Sequence, residues 1–187
     1  MRSCLVVLMV VAVCLVSPAV GAEPVGVGAA WPAISLRGPE IESQRSYLGL
    51  EADGPFVLTD VSADIVIVEI FSMYCPHCQR EAPKVNQLYQ LLLDTPQWRE
   101  RIKLIGIGVG NSPMEVDFFK DTYGVPFPLF PDGDFAIHKA LGEPRTPYFM
   151  GIRLGPGGEP RIVYAKLGEF EDPARFVEEI MAMAELK

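Results

Sequence analysis

Cysteine, histidine and tryptophan are scarce in this chain of 187 residues, which contains four, two and two of them respectively. Cys4 and Cys14 lie in an apolar N-terminal stretch, which leaves Cys75 and Cys78 in the body of the chain. A single close pair excludes the disulfide framework of small secreted domains. Even with His77 the pair lacks the further ligands that a zinc ion needs, so we expect no metal and no other cofactor.

The chain also has fewer positively charged residues than negatively charged ones. Lysine and arginine together number 16, against 24 aspartates and glutamates, and the net charge is −8. This balance argues against nucleic acid or an anionic membrane surface as a partner. Hydrophobic residues make up 49% of the chain and charged residues 21%, which favours a packed core over disorder.

The N-terminus has an apolar run, Leu5 to Val16, that is short for a membrane span. Arg2 precedes the run, and the small residues Val20-Gly21-Ala22 follow it, as in a secretory signal peptide. We therefore expect cleavage after Ala22 and a periplasmic or otherwise exported protein. An uncleaved segment that anchors the chain to a membrane is the alternative.

The predicted domain organisation follows from this boundary. Residues 1–22 form the signal peptide, and the glycine-rich residues 23–30 form a flexible lead. Residues 31–187 contain no internal repeat and form a single domain.

The stretch from Val66 to Cys78 contains the candidate catalytic residues. The β-branched run up to Phe71 predicts a buried strand, and a helical pattern follows from Pro76 to about Leu93. Cys75 then lies at the helix N-terminus, where free N–H groups and the helix dipole stabilise a thiolate.

The residues around Cys75 fit a redox-active dithiol. Cys78 lies one helical turn further on, close enough to form a disulfide with Cys75. Pro76 suits the first turn of a helix, because the N–H group that proline lacks would have no partner there. His77 is expected to place a hydrogen-bond donor, or a positive charge when protonated, beside the sulfur.

Glu69 is a carboxylate inside the apolar strand, on the same face as Phe71. If both faces of the strand are covered, the side chain is buried and its pKa is raised. A buried acid below the dithiol can accept and return the proton of Cys78. The alternative is a carboxylate at the end of a strand that reaches solvent.

The segment Glu-Ile-Phe-Ser-Met-Tyr-Cys-Pro-His-Cys resembles the active site of the thioredoxin superfamily and is very similar to that of the oxidase DsbA. Pro83 matches the proline within the thioredoxin active-site helix. The pattern Cys75-x-x-Cys78-x-x-Glu81-x-Pro83 resembles instead the exported TlpA/ResA group. That resemblance implies an active-site role for Glu81, for which the alternative is a solvated helix acid.

A second motif lies at Thr146-Pro147, directly before an apolar stretch. Most X–Pro bonds are trans. The resemblance to thioredoxins nevertheless implies a cis proline that faces the dithiol, with the Thr146 backbone available to hydrogen-bond an incoming peptide.

The order of predicted elements is that of an α/β thioredoxin-like fold, a three-layer α/β/α arrangement with a mixed central sheet and an N-terminal extension. Short strands are predicted at Trp31–Leu36 and within residues 37–63. Only about sixty residues separate Pro83 from Pro147, which leaves no room for the helical insertion domain of DsbA.

The resemblance implies a thiol–disulfide oxidoreductase that exchanges its dithiol with protein substrates and is reset by a membrane redox partner. A reductase of the TlpA/ResA kind would need a transmembrane electron donor. A DsbA-like oxidase would need a quinone-linked oxidase instead. A peroxidase of the peroxiredoxin type is disfavoured because its Thr-x-x-Cys arrangement is missing. A thioredoxin-like module that only binds proteins or carries a metal is a remote alternative.

Overall fold

A computed structural model of the chain describes residues 23–155 and 158–185. Its centre is a five-stranded sheet in the order β3-β2-β1-β4-β5, with β1 to β3 parallel and β4 and β5 antiparallel to their neighbours. The strands are β1 (Ile65–Phe71), β2 (Ile102–Val109), β3 (Leu129–Asp132), β4 (Tyr148–Arg153) and β5 (Arg161–Leu167). The mixed sheet confirms the predicted thioredoxin-like α/β class.

Helices cover both faces of the sheet. They are α1 (Glu42–Leu48), α2 (Pro76–Asp94), α3 (Pro96–Arg99), α4 (Pro113–Tyr123), α5 (Ala136–Ala140) and α6 (Pro173–Met183). Apolar side chains of α2, α4 and α6 form one core with the β1 face that carries Ile67 and Phe71. The opposite β1 face packs against the N-terminal segment and α1. This is the predicted three-layer arrangement.

Strand β1 is buried along its whole length, because it pairs with β2 on one side and β4 on the other. Its register sets Glu69 between Gly106 of β2 and Phe149 of β4. A Cβ atom at Gly106 would lie 2.5 Å from Leu129 Cδ2, so the Leu129 side chain would have to move to accommodate it.

Helix α4 has a side-chain cap at its start and a glycine at its end. The Ser112 hydroxyl accepts the Glu115 N–H, and the Glu115 carboxylate accepts the Ser112 N–H in return. Gly124 ends the helix with φ at 59°, a conformation that favours glycine. The capping box and the glycine each depend on residues that are close in sequence.

The strands predicted before residue 64 are wrong. Residues 37–63 form α1 and a 3₁₀ turn at Leu58–Asp60. Trp31–Leu36 contributes an isolated bridge from Leu36 to Phe56. No side chain caps the N-terminus of α1. The helix is fixed instead by its fully buried Leu48 and by an Arg45 side chain that bonds the carbonyl groups of Pro39 and Glu40.

The segment predicted as a flexible lead makes backbone contacts with the domain. The N–H of Val25 bonds the carbonyl of Leu141, and the N–H of Gly28 bonds the carbonyl of Ile162. The predicted signal peptide, residues 1–22, lies outside the described residues. In the part of the chain that the structure describes, no helix is long and apolar enough to cross a membrane.

Candidate active site

The dithiol lies at the junction between the end of β1 and the start of α2. Cys75 is the N-cap of the helix, and its sulfur accepts the N–H of Cys78 at 3.4 Å. Both cysteines are free thiols; Cys75 is half-buried and Cys78 is fully buried. One sulfur can therefore meet another protein, while the second is reached only through the first.

Their environments separate the two sulfurs chemically. Partial burial by itself raises the pKa of the Cys75 thiol. Hydrogen bonds to its thiolate from the side chains of Thr146 and Cys78 and from the backbone of Cys78 and His77 outweigh burial. The net pKa of Cys75 lies below its ordinary 9.0. Burial raises the pKa of Cys78 strongly, and the charges of Glu69 and Cys75 add to this effect. Cys75 is thus the more easily ionised of the two thiols.

The Thr146-Pro147 peptide bond is cis, as the resemblance implied. Because β4 runs antiparallel to β1, its start lies beside the end of β1, and this places the loop against the dithiol. The Cys75 thiol donates to the Thr146 carbonyl at 3.4 Å. Pro147 is buried, and its carbonyl accepts the N–H of Gly168 at 2.9 Å.

Glu69 is buried at 3% exposure, on the face of β1 that α2 covers. Its Oε1 atom has no hydrogen-bond partner among the described residues. Burial raises the pKa of Glu69 from 4.5 to about 8, helped by the negative charges of Glu81 and Cys75. The solvent-exposed alternative is therefore wrong, because strands on both sides and a helix above close off the side chain.

Glu81 is buried as well, at 1% exposure, so the solvated alternative for this residue is also wrong. Its Oε1 accepts the N–H of Phe170 at 3.0 Å, and its Oε2 lies 3.2 Å from Lys84 Nζ. Lys84 also bonds the Phe170 carbonyl at 2.6 Å. These contacts join α2 to the segment between β5 and α6. Pro83 lies inside α2 between the two charged residues, and its exposed ring faces solvent.

The His77 ring makes its contacts with residues other than Cys75. Its Nδ1 lies 2.7 Å from an Arg80 nitrogen and 3.3 Å from Glu169 Oε1. What His77 gives to the Cys75 sulfur is its backbone N–H. The expected hydrogen-bond donor at the sulfur is therefore the backbone N–H of His77, while its ring contacts Arg80 and Glu169. Pro76 occupies the first helical position, as predicted.

The sequence analysis missed the residues that hold the loop before Cys75. Asn111 is fully buried after β2, and its Oδ1 accepts the Met73 N–H at 2.8 Å. The Gln79 side chain donates to the Met73 carbonyl at 2.7 Å. A polar residue just after a buried strand was the available signal, because carboxyl ends of neighbouring parallel strands lie together.

A sequence profile of the AhpC/TSA family matches residues 27–160. The chain belongs to this family. The thiol-disulfide oxidoreductase ResA of Geobacillus thermodenitrificans is 26% identical over 85 residues, which are 46% of this chain and 46% of the relative. ResA of Halalkalibacterium halodurans is 27% identical over 127 residues, 67% of this chain and 65% of the relative. The chain thus spans between about half and two thirds of the length of these relatives.

Among solved structures, the thioredoxin domain of a thiol-disulfide oxidoreductase from Bacteroides vulgatus superposes with a TM-score of 0.62. The two share 15% identity over 83% of this chain and 97% of the other. At that identity the similarity concerns the fold, which is thioredoxin-like.

An open groove of about 580 Å³ runs beside the dithiol of this AhpC/TSA family member. Tyr74 and Phe135 line it together with Thr146, and both aromatic rings are exposed. Tyr74 is held by a hydrogen bond from its hydroxyl to Glu115. No cluster of three or more potential metal ligands occurs within the described ranges. The groove therefore offers exposed aromatic rings next to the half-buried Cys75.

Proposed function

We propose that this protein is an exported thiol–disulfide oxidoreductase that exchanges electrons between its Cys75–Cys78 pair and protein substrates. The observation that carries the proposal is the asymmetry of the two sulfurs. Cys75 is accessible with a lowered pKa, and Cys78 is buried with a raised one. This asymmetry suits a nucleophile followed by a resolving thiol. Thr146 and Pro147, against the first sulfur, are the proposed substrate-binding backbone.

In the reducing direction the Cys75 thiolate attacks a substrate disulfide. One substrate sulfur leaves as a thiolate and takes a proton from water, and a mixed disulfide remains. In the mixed disulfide Cys75 carries no charge, so Glu69 can release its own proton to water. The Glu69 carboxylate then takes the proton of Cys78, which attacks the Cys75 sulfur. The second substrate thiolate leaves, and two electrons have passed from the dithiol to the substrate.

Two features favour the reductase. The relatives named above are called ResA, and the buried Glu81 occupies the position that resembles the glutamate of that group. The His77 ring contacts Glu169 and Arg80, and His77 supports the Cys75 thiolate through its backbone N–H. A less stabilised thiolate makes the reduced form a better electron donor.

A DsbA-like oxidase is the second candidate, favoured by the Pro76-His77 dipeptide and the lowered pKa of Cys75. A pKa as low as the ~3.5 of DsbA would stabilise the reduced form by roughly 4–5 kcal/mol. That corresponds to about 100 mV towards the oxidant. The dipeptide could therefore reverse the direction by itself.

Export is proposed from the features of residues 1–22 and from the single cysteine pair that follows them. After each turnover the Cys75–Cys78 pair must be reset, by reduction in a reductase and by reoxidation in an oxidase. For the reductase, a transmembrane electron donor is the partner of suitable chemistry, and for the oxidase a quinone-linked oxidase takes that place.

Two measurements test the function and its direction. In an insulin reduction assay with dithiothreitol, the wild-type protein should accelerate precipitation, and Cys75→Ala should abolish the acceleration. The matched control is Cys78→Ala, which keeps the nucleophile and should accumulate the mixed disulfide. Unchanged turnover by Cys75→Ala overturns the proposal. Equilibration with glutathione and dithiothreitol buffers should give a potential nearer ~−270 mV than ~−120 mV, and the higher value selects the oxidase.

A further inference from the structure

The groove beside the dithiol is bordered by two segments that are distant in sequence. One is the loop that ends at Thr146, whose carbonyl accepts the Cys75 thiol at 3.4 Å. The other is the turn at Phe135, which follows β3 and begins α5. Two exposed aromatic rings line this groove, Tyr74 at 65% and Phe135 at 43% exposure. A shared apolar surface of this kind marks an interaction site, whereas a single exposed apolar residue does not.

The backbone keeps the Phe135 ring in the groove at a cost. Phe135 has φ at 61°, in the left-handed region that a bulky residue seldom adopts. Its N–H bonds the carbonyl of Asp132 at 3.1 Å, and the N–H of Gly110 bonds the same carbonyl at 2.9 Å. A Cβ atom at Gly110 would lie 2.5 Å from Phe135 Cζ, so the ring lies directly on the glycine backbone. Strain of this kind persists where surrounding contacts maintain it, and such places are often binding sites.

Asp132 supplies those contacts. Its side chain is buried at 2% exposure, its Oδ1 accepts the N–H of Ile137 at 2.9 Å, and its Oδ2 accepts the N–H of His138 at 2.8 Å. Together with its carbonyl group, Asp132 therefore fixes both the turn and the start of α5. The His138 Nε2 donates to the carbonyl of Pro144 at 3.0 Å, in the loop that leads to the cis proline. The two borders of the groove are thus tied together, and the groove is formed before a substrate binds.

The lining indicates which side chains the groove accepts. Glu143 and Arg145 carry opposite charges, so together they favour neither an acidic nor a basic substrate. A substrate sulfur that reaches Cys75 must pass Tyr74, the residue directly before it, so the neighbours of that sulfur enter the groove. A large apolar side chain buries surface against the rings of Tyr74 and Phe135, and an aromatic one gains further from edge or offset contacts.

We propose that Phe135 is a specificity-determining residue that selects polypeptide disulfides in which a large apolar or aromatic residue flanks the cysteine. The proposal rests on the proposed function and names its substrate class. Phe135 acts on the binding of the chain, and the exchange of sulfur atoms is left to Cys75 and Cys78.

The test compares two short peptides that differ only beside their single cysteine, which is flanked on both sides by phenylalanine or on both sides by serine. Each peptide cysteine is joined to thionitrobenzoate in a mixed disulfide. The Cys75 thiolate attacks the peptide sulfur and a Cys75–peptide disulfide forms, while thionitrobenzoate leaves as a coloured thiolate with the electron pair of the broken S–S bond. Each rate constant is divided by that of the same peptide with free 2-mercaptoethanol. The phenylalanine peptide should then react roughly tenfold faster, which corresponds to about 1.4 kcal/mol.

Three variants show whether Phe135 causes this preference. Phe135→Asn removes the ring, and asparagine tolerates the left-handed backbone, so the preference should fall to roughly twofold or less. Phe135→Tyr keeps a ring and should keep the preference. Phe118→Asn makes the same change at an exposed ring of α4, outside the groove lining, and should also keep it. Because each ratio compares two peptides on one protein, a general change in Cys75 reactivity cancels, and a merely structural role would not move the ratio.

The outcomes separate this proposal from the proposed function. Circular dichroism verifies that each variant is folded, and Phe135→Gly replaces the asparagine variant if that variant is not. Equal normalised rates in the wild-type protein, an undiminished preference in Phe135→Asn, or a lost preference in Phe118→Asn overturns the proposal. The mixed disulfide of 2-mercaptoethanol with thionitrobenzoate has no flanking residue and tests Cys75 alone. If the wild-type protein reacts with it but does not discriminate between the peptides, this proposal fails alone. If the wild-type protein reacts with none of the three, the proposed function fails and this proposal fails with it.

Discussion

Replacing Glu69 by glutamine should change how the stability of the protein depends on pH. In the folded, reduced protein, burial raises the pKa of Glu69 from 4.5 to about 8. The unfolded chain keeps the ordinary value. Between these two pKa values the folded state binds one proton more than the unfolded state, so Glu69 makes the protein less stable as the pH rises.

The size of the effect follows from the width of that window. Below about pH 4.5 both states carry the proton, and above about pH 8 both have lost it, so the slope vanishes at both ends. From about pH 5 to about pH 8 the loss of unfolding free energy sums to about 4 kcal/mol. Glutamine cannot ionise, and in Glu69→Gln this loss should disappear.

The assay is urea denaturation of the reduced protein at a series of pH values and constant ionic strength. The difference in unfolding free energy, Glu69→Gln minus wild type, should grow with pH across the window and level off near pH 8. Glu171→Gln makes the same chemical change at an exposed position and should give a curve parallel to wild type. Parallel curves for Glu69→Gln as well would refute the assignment of a buried, protonated acid.

Two further predictions concern the sulfurs and the loop that holds them. Iodoacetamide should alkylate Cys75 with a midpoint below pH 9.0 while Cys78 stays unmodified, as read by mass spectrometry, and equal reactivity would contradict the assigned roles. Asn111→Ala frees the Met73 N–H and should lower the rate of insulin reduction by roughly tenfold or more. The Asn86 amide holds α2 to α4, so Asn86→Ala should lose roughly 1–3 kcal/mol of stability yet keep the wild-type rate of insulin reduction. Equal rates of insulin reduction in Asn111→Ala and Asn86→Ala would count against a role of the loop.

The core of the site could be read from the sequence because its signals are local. A β-branched run, a break and a helical pattern placed Cys75 at a helix N-terminus, and alternation along β1 placed Glu69 on the covered face. The cis bond before Pro147 was implied by the resemblance to thioredoxins, and the proposed role of Glu81 by the resemblance to the TlpA/ResA group, since neither follows from residue spacing. Helix α1 was missed because its N-terminus has no side-chain cap.

By itself, then, the sequence determined the alternation of strands and helices and the position of the two sulfurs on it. These depend on hydrophobic period and on capping, which act over a few residues. The tertiary structure decided which groups surround the sulfurs. His77 meets Glu169 across 92 positions, Glu81 meets Phe170 across 89, and Met73 meets Asn111 across 38. Such partners come together only when loops at the same end of the sheet pack against each other, and no local pattern encodes that packing.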